Sequence, residues 1–555
     1  MKYVIGVSAY YHDSSACLFK DGKLVFACEE EKFTGIKHDS SFPNKTIDHI
    51  FKTYKIGKEN ISAVCYYEDP ELKLKRVKQN IKENFLNAPL YSIQSYIKVK
   101  KNISNLKKNL SKISDNIFYS KHHLSHQYYS FFTSDFKRAT CLSVDGVGEY
   151  ETASVGFANG QEIETITVSD YPHSIGLYYS AMTSFLGFKP NEGEYKVMGL
   201  ASYGDPNVYL DKVRELIRFK NGGVKCNLKY FTWNKSNKIM FNSELVEHLG
   251  IQPRLPEEPI MVTHENLAAS IQKVYEEVFF DLLKAISYID DTGNICLSGG
   301  CAYNGSANGK IISNTSFKKL WIPVAPSDAG SSIGACVHYL VKNKQLFERV
   351  TQNPFLGPLY YYKEIVKLLS NGKYHMFRSE NKLRAYVAKK IHEGKVVGWF
   401  EGHCEFGARA LGNRSILADP TKEGMKDRIN KLIKKRENFR PFAPMVTVDD
   451  QDKYFIMENE IPYMNQIVQV KSEYKDVLKA VTHVDGTARV QSVHRHTNMY
   501  RLLKEFEKLS GYPILLNTSF NIKDKTMVLT PKDALNTFYN TNLDILIIEN
   551  FLIYK

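Results

Sequence analysis

The sequence predicts an α/β fold in two domains. Short apolar runs typical of strands alternate with longer stretches of helical periodicity along 555 residues, and this alternation is typical of α/β domains. Glycine-rich loops follow several of the predicted strands. Two prolines and a glycine interrupt the pattern at 352–358 (QNPFLGP). We therefore place a boundary there and expect domains over 1–352 and 353–555.

The N-terminal domain opens with predicted strands at 3–9, 15–20 and 23–29, of which the last two are joined by Asp21-Gly22, a common hairpin turn. The pattern then predicts, in chain order, a helix from His122, a strand at 140–145, a helix at 265–286 and a strand at 294–300. The C-terminal domain is predicted to begin with a helix at 383–393 and a strand at 395–400, and to close with a buried strand at 543–549.

The chain is basic, with 74 Lys and Arg residues against 60 Asp and Glu residues and a formal charge of +14. Such a charge is compatible with nucleic acid, an anionic membrane or an anionic small substrate. Residues 71–121 hold twelve basic and three acidic residues, and their apolar residues recur every three to four positions. We interpret this basic insert as amphipathic helix whose lysine face is either solvated or anion-binding.

Several protein classes are disfavoured by the sequence. No apolar run approaches the roughly 18 residues of a membrane span, and the first residues lack the features of a signal peptide. The nine cysteines are scattered singly, which fits a reducing compartment better than a disulfide framework. We expect a cytoplasmic protein with no membrane partner.

Histidines and carboxylates suggest a metal site. His122 and His126 are four residues apart in HHLSH, so a helix would present both imidazoles on one face, as in a two-histidine metal half-site. The same spacing also occurs in structural or surface histidines. Asp145, at a predicted strand end, and Asp328 would complete a set suited to iron, manganese or zinc.

Three glycine loops are candidates for nucleotide binding: DGVGE at 145–149, SGGCAYN at 298–304 and SDAGSS at 327–332. Each is predicted to follow a strand, where ligands bind in α/β folds. One such loop could be only a tight turn. Three in one domain fit a nucleotide clamped between two subdomains.

The second domain is rich in arginine, in EFGARALGNRS at 405–415, KKR at 434–436, RPF at 440–442 and HVDGTAR at 483–489. Arginine binds phosphate in bidentate fashion, so converging guanidinium groups predict a polyanionic small ligand. Any one of these arginines could instead pair with a surface carboxylate. The segment NTSFN at 517–521 adds hydrogen-bonding side chains at a strand end.

Together and in this order, the motifs resemble the ATP-dependent O-carbamoyltransferases of the nodulation-factor and antibiotic-tailoring type. The motifs are YYHDSSACLFKDGKLVFACEEEKFTGIKHDSSFP, HHLSH, SVDGVGEYETAS, NEGEYKVMGLASYGDP, LSGGCAYN, EFGARALGNRSILADP, FRPFAP, THVDGTARVQ and LLNTSFN. They run from about residue 3 to the C-terminus. The resemblance implies an N-terminal actin-like ATPase (duplicated ribonuclease H-like) domain followed by a C-terminal YrdC-like α/β domain.

The resemblance also implies a reaction. Carbamoyl phosphate and ATP would give carbamoyl adenylate, and the carbamoyl group would pass to a hydroxyl of a small-molecule acceptor such as a sugar, an antibiotic or another secondary metabolite. Ferrous iron (Fe2+) is the metal implied, with Mn2+ or Zn2+ as alternatives and Mg2+ as a further candidate ion. Nucleic acid is not expected as a partner, and the oligomeric state is open between monomer and homodimer.

Site residues are carried over by position. The metal ligands would be His122, His126, Asp145 and Asp328. The ATP site would comprise Asp145, Gly146, Gly148, Gly299, Gly300, Asn304 and Ser519. The carbamoyl-phosphate site would comprise Arg409, Arg440, Arg489, Asn517 and Ser519, with Arg440 also catalytic. His12 and Glu194 would contact the acceptor, and His12 is either a general base or a buried histidine hydrogen-bonded to Asp13.

Two other functions fit the same motifs less closely. The first is tRNA threonylcarbamoyl transfer, which would use both domain types and depend on threonine, bicarbonate and tRNA. The second is a non-catalytic ATP-binding regulator of the actin-like class, which would have no use for Arg409, Arg440 and Arg489.

Overall fold

A computed structural model describes residues 2–86, 88–236, 239–369, 373–436 and 440–555. The chain divides into two compact units, of which unit 1 comprises residues 1–30 and 38–352, and unit 2 comprises residues 31–37 and 353–555. Phe439, in the FRPFAP motif, lies outside the described residues. Among the described helices, none has the combination of length and apolar character that would carry it through a bilayer.

Unit 1 begins with β1 (Tyr3–Ser8), β2 (Ser15–Lys20), β3 (Lys23–Glu29), α2 (Asn44–Tyr54), β4 (Ile61–Tyr66), α3 (Pro70–Asn84), α4 (Pro89–Ile113), β5 (Ile117–Tyr119) and α5 (His122–Thr133). Helix α1 (Glu30–Thr34) follows β3 in the chain, and all of it except Glu30 belongs to unit 2. Those that follow are β6 (Arg138–Val144), β7 (Glu151–Asn159), β8 (Glu162–Asp170), α6 (Ile175–Phe185), α7 (Glu194–Leu200), α8 (Leu210–Arg214), β9 (Ile217–Lys220), β10 (Gly223–Cys226), α9 (Ser243–Leu249), α10 (Val262–Ser287), β11 (Asn294–Ser298), α11 (Gly305–Asn308), α12 (Ile311–Asn314), β12 (Lys319–Trp321) and α13 (Asp328–Lys342).

Unit 1 contains two five-stranded sheets with the same topology. The first has the order β3-β2-β1-β4-β5 and the second the order β12-β11-β6-β7-β8. In each, three antiparallel strands are followed by two strands parallel to the first. This repeated strand order is the duplicated ribonuclease H-like arrangement expected of an actin-like ATPase domain, so the predicted fold class is confirmed.

Two helices, α5 and α13, lie between the sheets. Helix α5 packs on β6, β7 and β11 of the second sheet, α13 packs on β1, β2 and β4 of the first, and the two helices pack on each other. Glycines permit this close approach: a Cβ at Gly334 would lie 1.8 Å from the carbonyl oxygen of Ser125, and one at Gly330 would lie 2.2 Å from Cε1 of Tyr129. The packing brings the predicted metal ligands of both helices to one region.

The third predicted glycine loop, SDAGSS, is not a loop. Ser327 precedes α13, and Asp328 to Ser332 form its first turn. The prediction was wrong because glycine is common in turns, whereas Gly330 is required here for a different reason: the side chain of Tyr129 on α5 packs so closely that it leaves no room for a Cβ.

The basic insert forms two helices and a strand rather than one helical segment. Helix α3 begins with Pro70 after the side chain of Asp69 caps its first amides, and α4 begins with Pro89, a residue favoured in the first turn of a helix. The two helices form the connection between the parallel strands β4 and β5. The basic stretch is therefore the crossover of the first sheet.

Unit 2 contains α14 (Tyr362–Leu369), β13 (Tyr374–Met376), α15 (Glu380–His392), β14 (Val397–Phe400), β15 (Arg414–Ala418), α16 (Met425–Arg428), β16 (Ala443–Thr447), α17 (Gln451–Tyr454), β17 (Phe455–Ile456), β18 (Val468–Val470), β19 (Thr487–Ala488), β20 (Gln491–Val493), α18 (Asn498–Ser510), β21 (Ile514–Ser519), α19 (Pro531–Tyr539), β22 (Ile545–Ile548) and β23 (Phe551–Ile553). A π-helical segment, Ile429–Lys434, continues from α16.

Eight strands form the main sheet of unit 2, in the order β13-β23-β22-β14-β15-β21-β16-β20, and β17, β18 and β19 form a small second sheet. The eight-stranded sheet mixes parallel and antiparallel neighbours. Two hydrophobic clusters form the core, one of them between the sheet and helices α15 and α18. Unit 2 is the mixed α/β body that corresponds to the predicted C-terminal domain.

Candidate functional site

A buried cluster of two histidines and two carboxylates lies in unit 1. The Nε2 atoms of His122 and His126 lie 3.2 Å apart, and each lies 3.2 Å from Oδ2 of Asp145. Oδ1 of Asp328 lies 3.7 Å from Nε2 of His122 and 3.6 Å from Nε2 of His126. Atoms bound to one tetrahedral ion at about 2.1 Å lie roughly 3.4 Å apart, so the spacing fits a single metal ion.

The electrostatics of the cluster also fit a cation. Oδ1 of Asp328 has no hydrogen-bond partner among the described residues although the side chain is 0% exposed, and a buried carboxylate oxygen without a donor or cation is costly. Burial opposes ionisation of Asp145, yet its hydrogen bonds to His122 and His126 hold its pKa well below the usual range. The cluster therefore favours positive charge at its centre.

Further residues that the sequence did not predict as site residues hold the four side chains of the cluster in place. Nδ1 of His126 lies 2.9 Å from Oγ of Ser331, and the hydroxyl of Tyr67 lies 3.4 Å from Oδ2 of Asp328. The carboxylate of Glu149 accepts hydrogen bonds from the backbone N–H of His122. Ser331 lies one helical turn after Asp328, and this spacing could have indicated from the sequence that the two side chains share one helix face. Tyr67 follows β4, and no sequence pattern indicated its role.

The first two predicted glycine loops lie beside this cluster. A Cβ at Gly148 would lie 3.1 Å from Cδ2 of His122, and one at Gly300 would lie 3.1 Å from Oδ1 of Asp145. Gly299 has φ +90°, and a Cβ there would lie 2.2 Å from the carbonyl oxygen of Val144. Gly146 donates its N–H to Oδ1 of Asp145 at 2.7 Å.

Asn304 caps a helix. Its Oδ1 accepts the N–H of Ala307 at 3.1 Å, and its side-chain amide pairs with that of Gln272 through two hydrogen bonds of 3.0 Å. The structure thus ties this predicted nucleotide ligand to α10 and α11.

His12 and Glu194 both have defined protein partners. Nδ1 of His12 lies 3.0 Å from Oδ2 of Asp13. Burial alone would lower the pKa of His12, but nearby carboxylates, above all Asp328 and Asp13, outweigh it and raise the pKa to about 10. Glu194 begins α7, and its Oε1 accepts hydrogen bonds from Oγ of Ser180 at 2.7 Å and from the N–H of Asn191 at 2.8 Å.

In unit 2, buried side chains shape the loop that carries Arg409. Oε1 of Glu405 accepts three backbone N–H groups, from Leu411, Asn413 and Arg414, at 2.9 to 3.1 Å. Nδ2 of Asn517 donates to the carbonyl oxygen of Ala410 at 2.9 Å and to Oε1 of Gln491 at 2.9 Å. Asn517 therefore links strand β21 to this loop and to β20.

A concentration of positive charge surrounds the end of the π-helical segment. Nζ of Lys434 donates to the carbonyl oxygen and to Oγ of Ser519, at 2.8 and 3.2 Å, and to the side chain of Asn521. Burial and the neighbouring charges of Arg436, Lys37 and Arg440 hold the pKa of Lys434 well below its usual range. A bound anion would relieve this repulsion, so the region fits a phosphate-bearing ligand.

Two further residues of the HVDGTAR and EFGARALGNRS motifs have distinct environments. Nδ1 of His483 lies 3.0 Å from Oγ1 of Thr487, and burial and the charge of Arg489 lower its pKa to about 4. His483 is therefore neutral at neutral pH. Arg414 is fully buried, with its guanidinium 3.5 Å from the centre of the Phe400 ring and donating to backbone carbonyls. Arg414 is thus a structural arginine, contrary to the expectation that the arginines of this motif converge on a ligand.

Gly334→Ala is expected to destabilise unit 1. The added Cβ would lie 1.8 Å from the carbonyl oxygen of Ser125, so α5 would have to move away from α13, and overpacking of this kind costs about 1 to 3 kcal/mol or more. Calorimetric unfolding should show a lower midpoint, and metal affinity should fall as well because α5 carries two ligands.

The matched control is Gly199→Ala, a helical glycine in α7 at which a Cβ meets nothing within 4 Å. Alanine is the better helix former by about 1 kcal/mol, so this variant should unfold at the same temperature or higher. Equal midpoints for the two variants would contradict the packing role of Gly334.

Comparison with solved structures gives distant similarities. The chain matches component A of (R)-2-hydroxyglutaryl-CoA dehydratase from Acidaminococcus fermentans at 13% identity and a TM-score of 0.35, over 62% of this chain and 99% of that one.

Curated relatives match over nearly the whole chain. An uncharacterized Synechocystis protein is 36% identical over 100% of this chain and 97% of its own length. The nodulation protein NolNO of Sinorhizobium fredii is 32% identical over 99% of this chain and 80% of its own length.

Family models cover both units. The carbamoyltransferase C-terminus matches residues 388–555, and the carbamoyltransferase N-terminus matches residues 3–337, which include the buried cluster of two histidines and two carboxylates. The chain therefore belongs to the carbamoyltransferase family of enzymes.

Proposed function

We propose that the protein is an O-carbamoyltransferase that makes carbamoyl adenylate from carbamoyl phosphate and ATP and transfers the carbamoyl group to a hydroxyl of a small molecule, such as a sugar or another secondary metabolite. The observation that carries the proposal is the presence of two different sites in one carbamoyltransferase chain. One is the buried cluster of two histidines and two carboxylates, and the other is the cationic region around Lys434.

The first stage would take place in unit 2. Carbamoyl phosphate and water give carbamate and phosphate, and a carbamate oxygen then attacks the α-phosphorus of ATP and releases pyrophosphate. We assign Arg409, Arg440 and Arg489 to the phosphate oxygens, because guanidinium groups bind them in bidentate fashion. Ser519 would contribute a hydroxyl. Oδ1 of Asn517 is buried without a partner among the described residues and would accept an N–H of the carbamoyl group.

The second stage would take place in unit 1. The acceptor hydroxyl oxygen attacks the carbamoyl carbon, the bond from that carbon to the adenylate oxygen breaks, and AMP leaves. We assign the hydroxyl proton to His12 and a position beside the acceptor to Glu194, and we assign the nucleotide to the loops of Gly146, Gly148, Gly299 and Gly300 with Asn304.

A divalent ion, ferrous iron by the resemblance, would be held by His122, His126, Asp145 and Asp328 and would supply Lewis-acid charge. Among the groups that raise the pKa of His12, Asp328 contributes most. With the charge of Asp328 offset by the ion, the pKa of His12 would be lower, and a larger fraction of its imidazole would be neutral and able to accept a proton.

The proposal is tested by incubating the protein with ATP, carbamoyl phosphate and ferrous iron. Pyrophosphate should be released only when carbamoyl phosphate is present, and a pool of hydroxyl compounds should gain the mass of one carbamoyl group. Release that depends on threonine and bicarbonate instead would support tRNA threonylcarbamoyl transfer, and no release under either condition would overturn the proposed activity.

A further inference from the structure

The tip of the α3–α4 hairpin exposes large apolar side chains. Leu86 is 94% exposed and Leu90 is 74% exposed, and Phe85, Ile93 and Ile97 are 45%, 49% and 59% exposed. We call these five residues the hairpin tip. Exposed apolar residues that occur singly need no explanation, whereas a group of them on one helical hairpin indicates an interaction surface.

On α4 the apolar residues lie on the outward face. Leu90, Ile93 and Ile97 are three and four positions apart, so they form one stripe along the helix. The buried residues of α4, among them Leu106 and Leu110, lie on the opposite face at this helical period. The stripe is therefore separate from the side of α4 that packs on unit 1.

The same outward face becomes basic further along. Lys100, Lys101 and Lys108 follow the apolar stripe at helical spacing and are exposed, and α3 adds the exposed Lys75, Lys78 and Lys82. In total the two helices carry eleven Lys and Arg residues and two Glu residues. The surface thus combines an apolar tip with many exposed lysines on the neighbouring turns of α3 and α4.

We propose that the hairpin tip docks on the surface of an anionic lipid bilayer. Apolar side chains of an amphipathic helix insert at the boundary of headgroups and acyl chains, and neighbouring lysines contact anionic headgroups. Charge complementarity selects this occupant, because a second copy would bring an equally basic face and a nucleic acid would leave the apolar residues exposed. The sequence by itself predicted no membrane partner, because spanning segments can be recognised in a sequence whereas the exposure of single apolar side chains cannot.

The proposal is tested by co-sedimentation of the full-length protein with vesicles, either pure phosphatidylcholine or an equal mixture with phosphatidylglycerol. We expect binding to the anionic vesicles only. Leu86→Ser with Leu90→Ser should weaken it at least about tenfold, because each apolar group that enters the interface adds to the affinity. Replacing Lys78, Lys82 and Lys101 by Gln should weaken it about fivefold per lysine near the surface.

The matched control is Tyr288→Ser with Ile289→Ser, an exposed apolar pair of unit 1 (88% and 59% exposed) followed by Asp290 and Asp291. Its binding should equal that of the unchanged protein. Two results with vesicles would overturn the proposal: no binding to anionic vesicles, or binding that survives Leu86→Ser with Leu90→Ser. Absence of vesicle binding together with a concentration-dependent dimer that Leu86→Ser with Leu90→Ser abolishes would indicate a second copy as the partner instead.

Discussion

His126→Gln is expected to remove the metal ion and nearly abolish carbamoyl transfer. Nε2 of His126 lies within 3.6 Å of both Asp145 and Asp328. Its loss leaves the cluster with one histidine nitrogen instead of two as a possible metal ligand. Metal-ion catalysis supplies several kcal/mol, which at 1.36 kcal/mol per factor of ten is roughly a thousandfold in rate. Elemental analysis should show loss of bound metal, and an acceptor assay should show loss of transfer.

The control for this variant is His123→Gln, a histidine of the same helix and similar burial. Nδ1 of His123 lies 2.8 Å from Oγ of Ser154, and His123 is not part of the cluster. The His123→Gln protein should therefore bind as much metal as the unchanged protein. Pyrophosphate release that depends on carbamoyl phosphate should persist in both variants, because we assign that stage to unit 2. Full metal content in His126→Gln would contradict the assignment of the ligands.

Arg440→Ala is expected to impair the carbamoyl-phosphate stage strongly while leaving the buried histidine and carboxylate cluster of unit 1 intact. Removing a charged partner of a phosphate costs about 2 to 5 kcal/mol, which is roughly 30- to 5,000-fold in kcat/KM for carbamoyl phosphate. Arg440→Lys keeps the charge but loses the planar fork, so its defect should be smaller. Pyrophosphate release at varied carbamoyl phosphate concentration measures both.

Arg495→Ala provides the comparison. This arginine of unit 2 is exposed and pairs with Asp449 on the surface. Surface ion pairs contribute little to stability, so the Arg495→Ala protein should have the same kcat/KM for carbamoyl phosphate as the unchanged protein. If Arg440→Ala released pyrophosphate with an unchanged kcat/KM for carbamoyl phosphate, the assignment of Arg440 to that substrate would fail.

Local patterns determined much of the fold. The bounds of the first three strands, the hairpin at Asp21-Gly22 and the helix from His122 follow from residue alternation and turn residues. The spacing of His122 and His126 likewise determined that both imidazoles share one helix face. These features depend only on residues a few positions apart, so patterns along the sequence are sufficient to predict them.

Long-range packing decided the rest. Asp328 lies about two hundred residues from His126 in the chain, and only the packing of α13 against α5, through Gly330 and Gly334, brings the two side chains within 3.6 Å. The sequence alone identified the residue types of the candidate metal site and of the arginine-rich motifs. Only the tertiary structure decided that Arg414 is held by backbone carbonyls, that Lys434 lies among cations, and that the apolar residues of the hairpin tip face outward, because burial and charge proximity arise from contacts between distant segments.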